Sequence, residues 1–542
     1  MWGTVTPGSC KRQQPGAEGR SPFGADLTIV VGIGILSVKK QPLYPSLYQI
    51  NTRAWLTELS RSLGRRATLD DIPDVAIDCI ARWGFDWVWF LGVWQTGPAA
   101  RVIAASVVAT NEECKSLLSD LTDDDIVSSP FAVQKYSVNT AFGGDEALER
   151  LRARLAERGL RLMLDFVPNH TAPDNPWVRE HPEYYVLASD EDADREPQNY
   201  THVMTNTGPR VIAYGRDPYF AGWTDTFQLN YRSFKLRRAM IAELRQVAAR
   251  CDGVRCDMAM LLLPDVIQRT WGDKSRPADG TPAVDAPFWP EAISRVRADH
   301  SEFTFMAEVY WDLEWTLQQQ GFDYTYDKRL YDRLHAQDAV GARGHLHADP
   351  AFQKRSARFL ENHDEPRAAA AFLPDVHQAA AVATFLIPGL RFFHEGEFEG
   401  RRKRLPMQLC RRPNEPIDAT LRSFYDRLLV ILRRSEVRDG TWQLLECRGA
   451  WEGNSTWERF IVGYWTGADD RRLLTVVNYG PTQGQCYVTL PGSDLAGQTW
   501  VLQDLLSPAR YERFGTGLVS SGLYLDLGPW QAQVFEVVRK DG

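Results

Sequence analysis

Four short segments between residues 164 and 364 each combine a hydrophobic run with polar residues at or near its end. They are Leu164–His170, Gly253–Asp257, Phe305–Glu308 and Phe359–Asp364. Runs of this kind are typical of parallel strands that are buried on both faces of a sheet. Because the strands of a closed parallel barrel all end at one face, the pattern predicts that the carboxylate, His and Arg side chains meet there.

The chain around these segments alternates strands with helices, which predicts a parallel sheet and favours an α/β fold, specifically a (β/α)8 TIM barrel. The eight predicted strands lie at 47–51, 87–93, 161–167, 253–257, 304–309, 322–326, 358–360 and 390–393. Apolar residues at helical spacing predict helices at 145–159 and 233–250, and a third helix is expected at 377–386.

Two stretches depart from the alternation and suggest a division into domains. Residues 171–229 are rich in Pro, Asn, Asp and aromatic residues, and loops of this length inside a domain are usually functional. Beyond residue 435, short strands separated by turn residues favour an antiparallel β-sandwich. We therefore expect an N-terminal extension without a predicted structure at 1–43, a barrel at 44–435 with an irregular insertion after strand 3 at about 171–229, and a C-terminal β-sandwich at 436–542.

The composition limits which partners the protein is expected to bind and in which compartment it is expected to work. The net charge of −8 argues against nucleic acid or an anionic membrane as the main partner. The apolar run 27–38 is shorter than the roughly 20 residues of a membrane span, and no small-residue cleavage site follows it. We predict a cytoplasmic protein, with secretion as the less favoured alternative. The eight Cys show no pairing or metal-ligand spacing, so we predict neither a disulfide framework nor a metal site.

The segments at 253–257 and 305–308 provide two carboxyl groups in different environments. Side-chain alternation puts Arg255 and Asp257 on one face of a strand, where the guanidinium would favour the ionised form of Asp257. Glu308 follows an apolar run, and desolvation there would raise its pKa, as suits a proton donor. Taken alone, each residue is more simply explained as a salt bridge or a helix cap. Their combination with Asp364 instead favours cleavage of glycosidic bonds.

The four segments, in this order, resemble the four sequence regions of the α-amylase family of glycoside hydrolases. The resemblance implies a catalytic (β/α)8 barrel in which Asp257 is the nucleophile and Glu308 is the general acid and base. Asp364 matches the third family acid, which binds ring hydroxyls of the sugar. The resemblance also implies a set of substrate-binding residues: His170, Arg255, His363, Phe131 and Arg367.

The resemblance bears on cofactors as well. In some family members the residue that matches Asn169 binds calcium, but no Asp cluster here has the spacing of a calcium loop. We therefore expect that no cofactor is required and assign no metal ligand, although a structural calcium ion stays open as an alternative.

One departure from the family bears on the substrate. Many amylases carry Lys and His where this chain has Met260 and Leu261, which removes donors that would bind the sugar beyond the cleaved bond. We predict a retaining α-glycoside hydrolase that acts on an α-glucan or a small α-glucoside, with preference for short oligosaccharides. A transglycosylase or isomerase of the same family is the alternative. A catalytically silent carbohydrate-binding barrel is the alternative of another class. The sequence predicts no oligomeric state.

Overall fold

The computed structural model of the chain describes residues 41–540, and at its centre is a closed barrel of eight parallel strands. In chain order these strands are β1 (Ser46–Asn51), β2 (Trp87–Leu91), β3 (Arg161–Phe166), β4 (Gly253–Cys256), β5 (Thr304–Ala307), β6 (Tyr324–Tyr326), β7 (Ser356–Arg358) and β8 (Leu390–His394). Each strand pairs with its neighbours in sequence, and β8 closes the barrel on β1. The predicted (β/α)8 barrel is confirmed.

Each of the eight strands differs from its predicted bounds by one or more residues, and two of these differences, at β2 and β7, bear on the site. β2 ends at Leu91 because Gly92 has a φ of +78°, a left-handed conformation that cannot continue a strand. β7 covers Ser356–Arg358 rather than 358–360. Phe359 and Leu360 are buried without being part of the strand, because their side chains pack into the core from the loop that follows β7. The polar residues of this segment therefore lie on a loop above the barrel.

Helices surround the barrel and bury their apolar faces against it. Those of eight or more residues are Thr52–Leu63, Asp74–Trp83, Pro98–Thr110, Gly144–Ala156, Phe234–Arg250, Pro264–Trp271, Trp289–Asp299, Lys328–His335, Ala339–Leu346, Pro374–Phe385 and Ala419–Leu432. In Phe234–Arg250 the predicted face, which includes Leu236, Met240 and Leu244, is buried. The helix expected at 377–386 begins at Pro374, because the fixed φ of proline suits the first helical position.

The insertion after β3 contains a small antiparallel sheet with short helices. Its strands are His170–Thr171, Leu187–Ala188, Tyr200–Thr205, Gly208–Gly215 and Trp223–Gln228. The first of these strands begins four residues after β3 ends and pairs with the last one. The sheet therefore starts at the C-terminal face of the barrel and forms one wall above it.

The C-terminal part consists of two antiparallel sheets. One contains Thr441–Leu444, Phe460–Thr466, Arg472–Asn478, Thr499–Asp504, Arg510–Phe514 and Ala532–Arg539, and the other contains Cys447–Gly449, Gly484–Val488 and Leu523–Leu527. Buried side chains from both sheets, such as Leu474 and Cys486, form one shared cluster. The larger sheet also contacts the barrel, because the Trp465 indole donates a hydrogen bond to the Leu386 carbonyl at 2.9 Å. This is the predicted C-terminal β-sandwich.

Within residues 41–540, no helix combines the length and the apolar content that crossing a bilayer requires. The apolar run 27–38 and most of the N-terminal extension lie outside the described residues.

Candidate active site

The guanidinium of Arg255 lies at the centre of a group of three carboxylates at the C-terminal face of the barrel. Its Nη1 is 2.6 Å from Asp257 Oδ1, and its Nη2 is 2.8 Å from Glu308 Oε2. Asp364 Oδ2 is 4.0 Å from the same Nη2. The Arg255 side chain is completely buried, while Asp364 stays accessible to solvent. The three acids predicted to be catalytic are therefore brought together around one cation.

Strand register places Asp257 and Glu308 side by side. In the parallel pair β4 and β5, Cys256 lies opposite Ala307, so the next residues of the two strands leave the sheet at the same level. The Glu308 N–H donates to the Cys256 carbonyl at 3.0 Å, which extends the ladder by one residue. The pairing of two buried strands therefore fixes the relative position of the two carboxyl groups.

Aromatic rings enclose the Arg255 side chain. The ring centroids of Trp89, Phe131 and Tyr326 lie 5.3–5.6 Å from its guanidinium carbon. The Tyr326 hydroxyl also accepts a hydrogen bond from Arg255 Nε at 3.3 Å. Aromatic faces attract a cation and at the same time exclude water, which strengthens the electrostatic interactions of the guanidinium with the carboxylates.

The three carboxyl groups have different proton affinities. Burial raises the pKa of Glu308 to about 7, although the positive charge of Arg255 acts in the opposite direction. The sequence predicted this rise. Burial also raises the pKa of Asp257, and Arg255 opposes this shift without reversing it. For Asp364 the balance is the opposite, because the charges of His363 and Arg255 outweigh burial and lower its pKa. With a pKa of about 7, Glu308 can hold a proton near neutral pH, whereas Asp364 stays charged.

Two hydrogen bonds orient Glu308. Its Oε2 accepts from the Met258 N–H at 2.7 Å, and its Oε1 accepts from the Tyr310 hydroxyl at 2.9 Å. Met258 has a φ of +43°, and Trp311 has a φ of +64°, an uncommon conformation for residues with a side chain. Backbone of this kind costs free energy and is concentrated at functional sites. The loops after β4 and β5 therefore hold the carboxyl groups in a fixed geometry.

His363 connects Asp364 to strand β1 of the barrel. Its Nε2 is 3.0 Å from Asp364 Oδ2, and its Nδ1 is 2.8 Å from the Gln49 amide nitrogen of β1. The Phe131 ring lies 5.4 Å from the His363 ring. His363 and Phe131 therefore both border the carboxylate cluster.

The two other predicted binding residues lie further out. The His170 ring lies 5.4 Å from Trp223 of the insertion and within hydrogen-bonding reach of the Phe131 carbonyl, and burial lowers its pKa to about 3. Arg367 pairs with Glu361 at 2.8 Å. It lines a cavity that His363 also borders, and within the described residues it forms no ion pair with the three acids.

Sequence reasoning missed several residues that shape this site, namely Gln49, Trp89, Tyr310 and Tyr326. Tyr310 could have been found, because alternation along an extended segment puts it on the same side as Glu308. Gln49 and Tyr326 lie far from the motifs along the chain, and only the closure of the barrel brings them near His363 and Arg255.

The described residues contain no group of three or more His, Cys, Asp or Glu side chains arranged to hold a metal ion. Asn169, the position that corresponds to a calcium ligand in some family members, exchanges hydrogen bonds with Gln228. These bonds join the end of β3 to the insertion.

The structure therefore combines a (β/α)8 barrel with a buried Arg and three acids that converge on it at the C-terminal face. The catalytic-domain model of the α-amylase family matches residues 128–408, more than half of the chain. The chain belongs to the α-amylase family.

Curated relatives and solved structures agree with this assignment. The α-amylase MalA of Haloarcula japonica is 26% identical over 277 residues, which are 50% of this chain and 36% of that protein. α-Amylase 3 of Dictyoglomus thermophilum is 21% identical over 395 residues, covering 63% of this chain and 72% of that protein. The chain therefore covers only about a third of the length of MalA. The structure of the maltogenic α-amylase AmyB of Thermotoga neapolitana has the same fold, with a TM-score of 0.64, 18% identity and coverage of 91% and 98% of the two chains.

Replacing Arg255 tests its role as the shared cation. We expect Arg255→Met to lower the free energy of unfolding by about 3–5 kcal/mol at pH 8, because it leaves buried carboxylates without their partner. Without the cation the pKa values of Asp257 and Glu308 rise further, so the loss should be smaller at pH 5, where the protonated forms are more populated. Thermal or denaturant unfolding at both pH values measures this difference.

The matched control is Arg150→Met, which breaks the exposed pair between Arg150 and Asp70. This substitution should change the free energy of unfolding by no more than about 1 kcal/mol at either pH. A loss in Arg255→Met as small as that of the control, or one independent of pH, would contradict the shared-cation role.

Proposed function

We propose that this protein is a retaining α-glycoside hydrolase that cleaves α-glucosidic bonds of short oligosaccharides through a covalent glycosyl-enzyme intermediate. The observation that carries the proposal is the contact of Asp257 and Glu308 with adjacent nitrogens of one guanidinium. This arrangement supports a close carboxyl pair. Retaining enzymes need about 5–5.5 Å between the two groups, whereas inverting enzymes need room for a water molecule between them.

The two groups divide the chemistry by their protonation. In the first step the Asp257 carboxylate attacks the anomeric carbon while Glu308, with its raised pKa, gives its proton to the departing glycosidic oxygen. In the second step Glu308 takes a proton from water, and the water oxygen displaces Asp257. Asp364 keeps its charge because its pKa is lowered, so it can accept hydrogen bonds from ring hydroxyls and stabilise positive charge on the sugar.

The preference for short substrates rests on the surroundings of Glu308. Met260 and Leu261 are buried in the core, so this stretch offers neither a polar group nor a surface to the sugar beyond the cleaved bond. Tyr219, which is exposed, packs edge-on against Trp311 at 5.1 Å. These two rings offer stacking area to a sugar. Binding free energy would therefore come mainly from the sugar next to Asp364 and His363.

Transfer to a sugar hydroxyl, including isomerisation of a disaccharide, stays the alternative activity. It uses the same intermediate and differs only in whether water or a hydroxyl attacks it. The catalytically silent alternative has less support, because all three acids are present around Arg255.

Glu308→Gln tests the general-acid assignment. Wild-type kcat/KM should decline as the pH rises above about 7, because Glu308 then loses the proton it must donate. The variant should lack this alkaline limb. Its kcat/KM on maltose should be about 10²–10⁴-fold lower than that of the wild type. The decrease on α-glucosyl fluoride should be much smaller, because the fluoride leaving group needs no proton. The measurement is a pair of pH–rate profiles for the two substrates.

Glu314→Gln is a suitable control, since burial also raises the pKa of Glu314 to about 7 outside the carboxylate cluster. That variant should keep the alkaline limb. Equal losses of Glu308→Gln on both substrates would refute the assignment.

A substrate panel tests the activity and the preference for short chains together. We expect hydrolysis of maltose or maltotriose, with kcat/KM changing by less than about tenfold from maltotriose to maltoheptaose, because each further sugar adds few polar contacts. Starch should be no better per bond than maltotriose. Chromatography of the products from maltose, trehalose, sucrose, the maltooligosaccharides and starch provides the measurement. A steep rise with length, or internal cleavage of amylose, would overturn the short-substrate preference and leave the mechanism intact.

A further inference from the structure

A cavity rich in basic residues lies beside His363, under the segment that follows β8. We call it the basic cavity. Its charged lining residues are Arg367, Arg401, Lys403, Arg404, Arg412, Glu395 and Glu415, so five cations face two carboxylates. The space between these side chains is narrow and partly open to solvent.

Three of these cations already have carboxylate partners. Arg412 pairs with Glu395 at 2.6 Å, Arg404 with Glu113 at 3.0 Å, and Arg367 with Glu361. Within residues 41–540, no ion pair is found for the other two cations, Arg401 and Lys403. Glu415 does not supply one, because it accepts from backbone N–H groups, including that of Arg402 at 2.8 Å.

Two buried nitrogen atoms of residues that line the cavity also have no hydrogen-bond partner within the described chain. They are Nε of Arg367 and Nδ1 of His394, and the two residues are only 4% and 8% exposed. The Arg367 Nε–H can only donate, so it needs an acceptor. Buried polar groups are almost always paired, and an exception usually indicates an absent water molecule, ion or ligand. Unpaired cations and an unpaired buried donor in one small cavity both indicate an oxyanion.

The position of the cavity shows which part of a substrate would carry this oxyanion. His363 forms its inner wall, and Arg404 Nη1 donates to the Asp364 carbonyl at 3.2 Å. No residue of the loops after β4 and β5, which carry Asp257 and Glu308, lines it. The cavity therefore lies on the side of the sugar that Asp364 holds, away from the leaving group.

We propose that the basic cavity binds a phosphoryl group on the glycosyl unit held by His363 and Asp364, so that the preferred substrate is an α-glucoside phosphorylated on its non-reducing sugar. The proposal rests on the proposed function and adds the substrate class to it. Lys403 is exposed, so its side chain is able to move and admit the phosphoryl oxygens. Arg401 and Lys403 would supply the charge, and Arg367 would donate its free Nε–H.

Kinetics on matched disaccharides test this proposal. Maltose that carries a 6-phosphate on the non-reducing unit should have a kcat/KM at least about tenfold higher than maltose, mainly through a lower KM, because charged hydrogen bonds form on binding. Maltose with the phosphate on the reducing unit should show no such gain.

Substitutions then locate the effect. The double variant Arg401→Gln with Lys403→Gln should bring the ratio of the two kcat/KM values close to one. Arg402→Gln removes one positive charge from the same loop, but Arg402 does not line the cavity, so the wild-type ratio should be kept. Calorimetry on Asp257→Asn should show the same preference in binding, independent of turnover.

The outcomes separate the two proposals. Turnover of neutral and phosphorylated maltose at equal kcat/KM, or a preference that survives the double variant, would overturn the basic cavity as a phosphoryl site and leave the proposed function standing. Release of glucose 1-phosphate from maltose and inorganic phosphate would show that phosphate acts on the leaving-group side, and would also overturn it. If no α-glucoside is turned over while phosphorylated maltose binds Asp257→Asn more tightly than maltose, the proposed function fails and the site stands.

Discussion

A single buried guanidinium determines the electrostatics of this site. Arg255 has no contact with solvent, and its two terminal nitrogens contact carboxyl groups delivered by different elements of the barrel. Placing three acids together, two of them buried, is unfavourable, since each opposes the ionisation of the others. The cation, enclosed by Trp89, Phe131 and Tyr326, makes this arrangement tolerable and spreads the pKa values of the acids, so that one holds a proton and another stays charged.

The barrel provides the precision that this electrostatic balance requires. The register of β4 and β5 places Asp257 and Glu308 at the same height at the end of the sheet. The closure of β1 onto β8 brings the Gln49 side chain into contact with His363. A shift of one residue in either pairing would turn these side chains to the outside of the sheet. The left-handed backbone at Met258 then turns an N–H toward Glu308, so the positions of the carboxyl groups depend on the fold as much as on their own side chains.

The sequence was sufficient for the fold and for the proximity of the acids, because hydrophobic runs and side-chain alternation are local signals. They predicted the eight strands and placed Arg255 beside Asp257. They could not show that Arg255 also contacts Glu308, or that burial outweighs its effect on the pKa of Asp257, since both depend on the distance between strands and on the amount of water excluded. The basic cavity could not be predicted from the sequence either, because Arg367 and Arg401 belong to different loops that only the folded barrel brings together.

Trapping the covalent intermediate tests the central claim most directly, namely that Asp257 is a nucleophile within a retaining pair. 5-Fluoro-α-glucosyl fluoride should form an intermediate faster than water removes it, because the leaving group needs no proton and the fluorine slows the second step. Mass spectrometry of the digested protein should then find one added fluoroglucosyl group on the peptide that contains Asp257, and Asp257→Asn should show none. An adduct on Glu308 instead, or turnover without any adduct and with inversion at the anomeric carbon, would contradict the account.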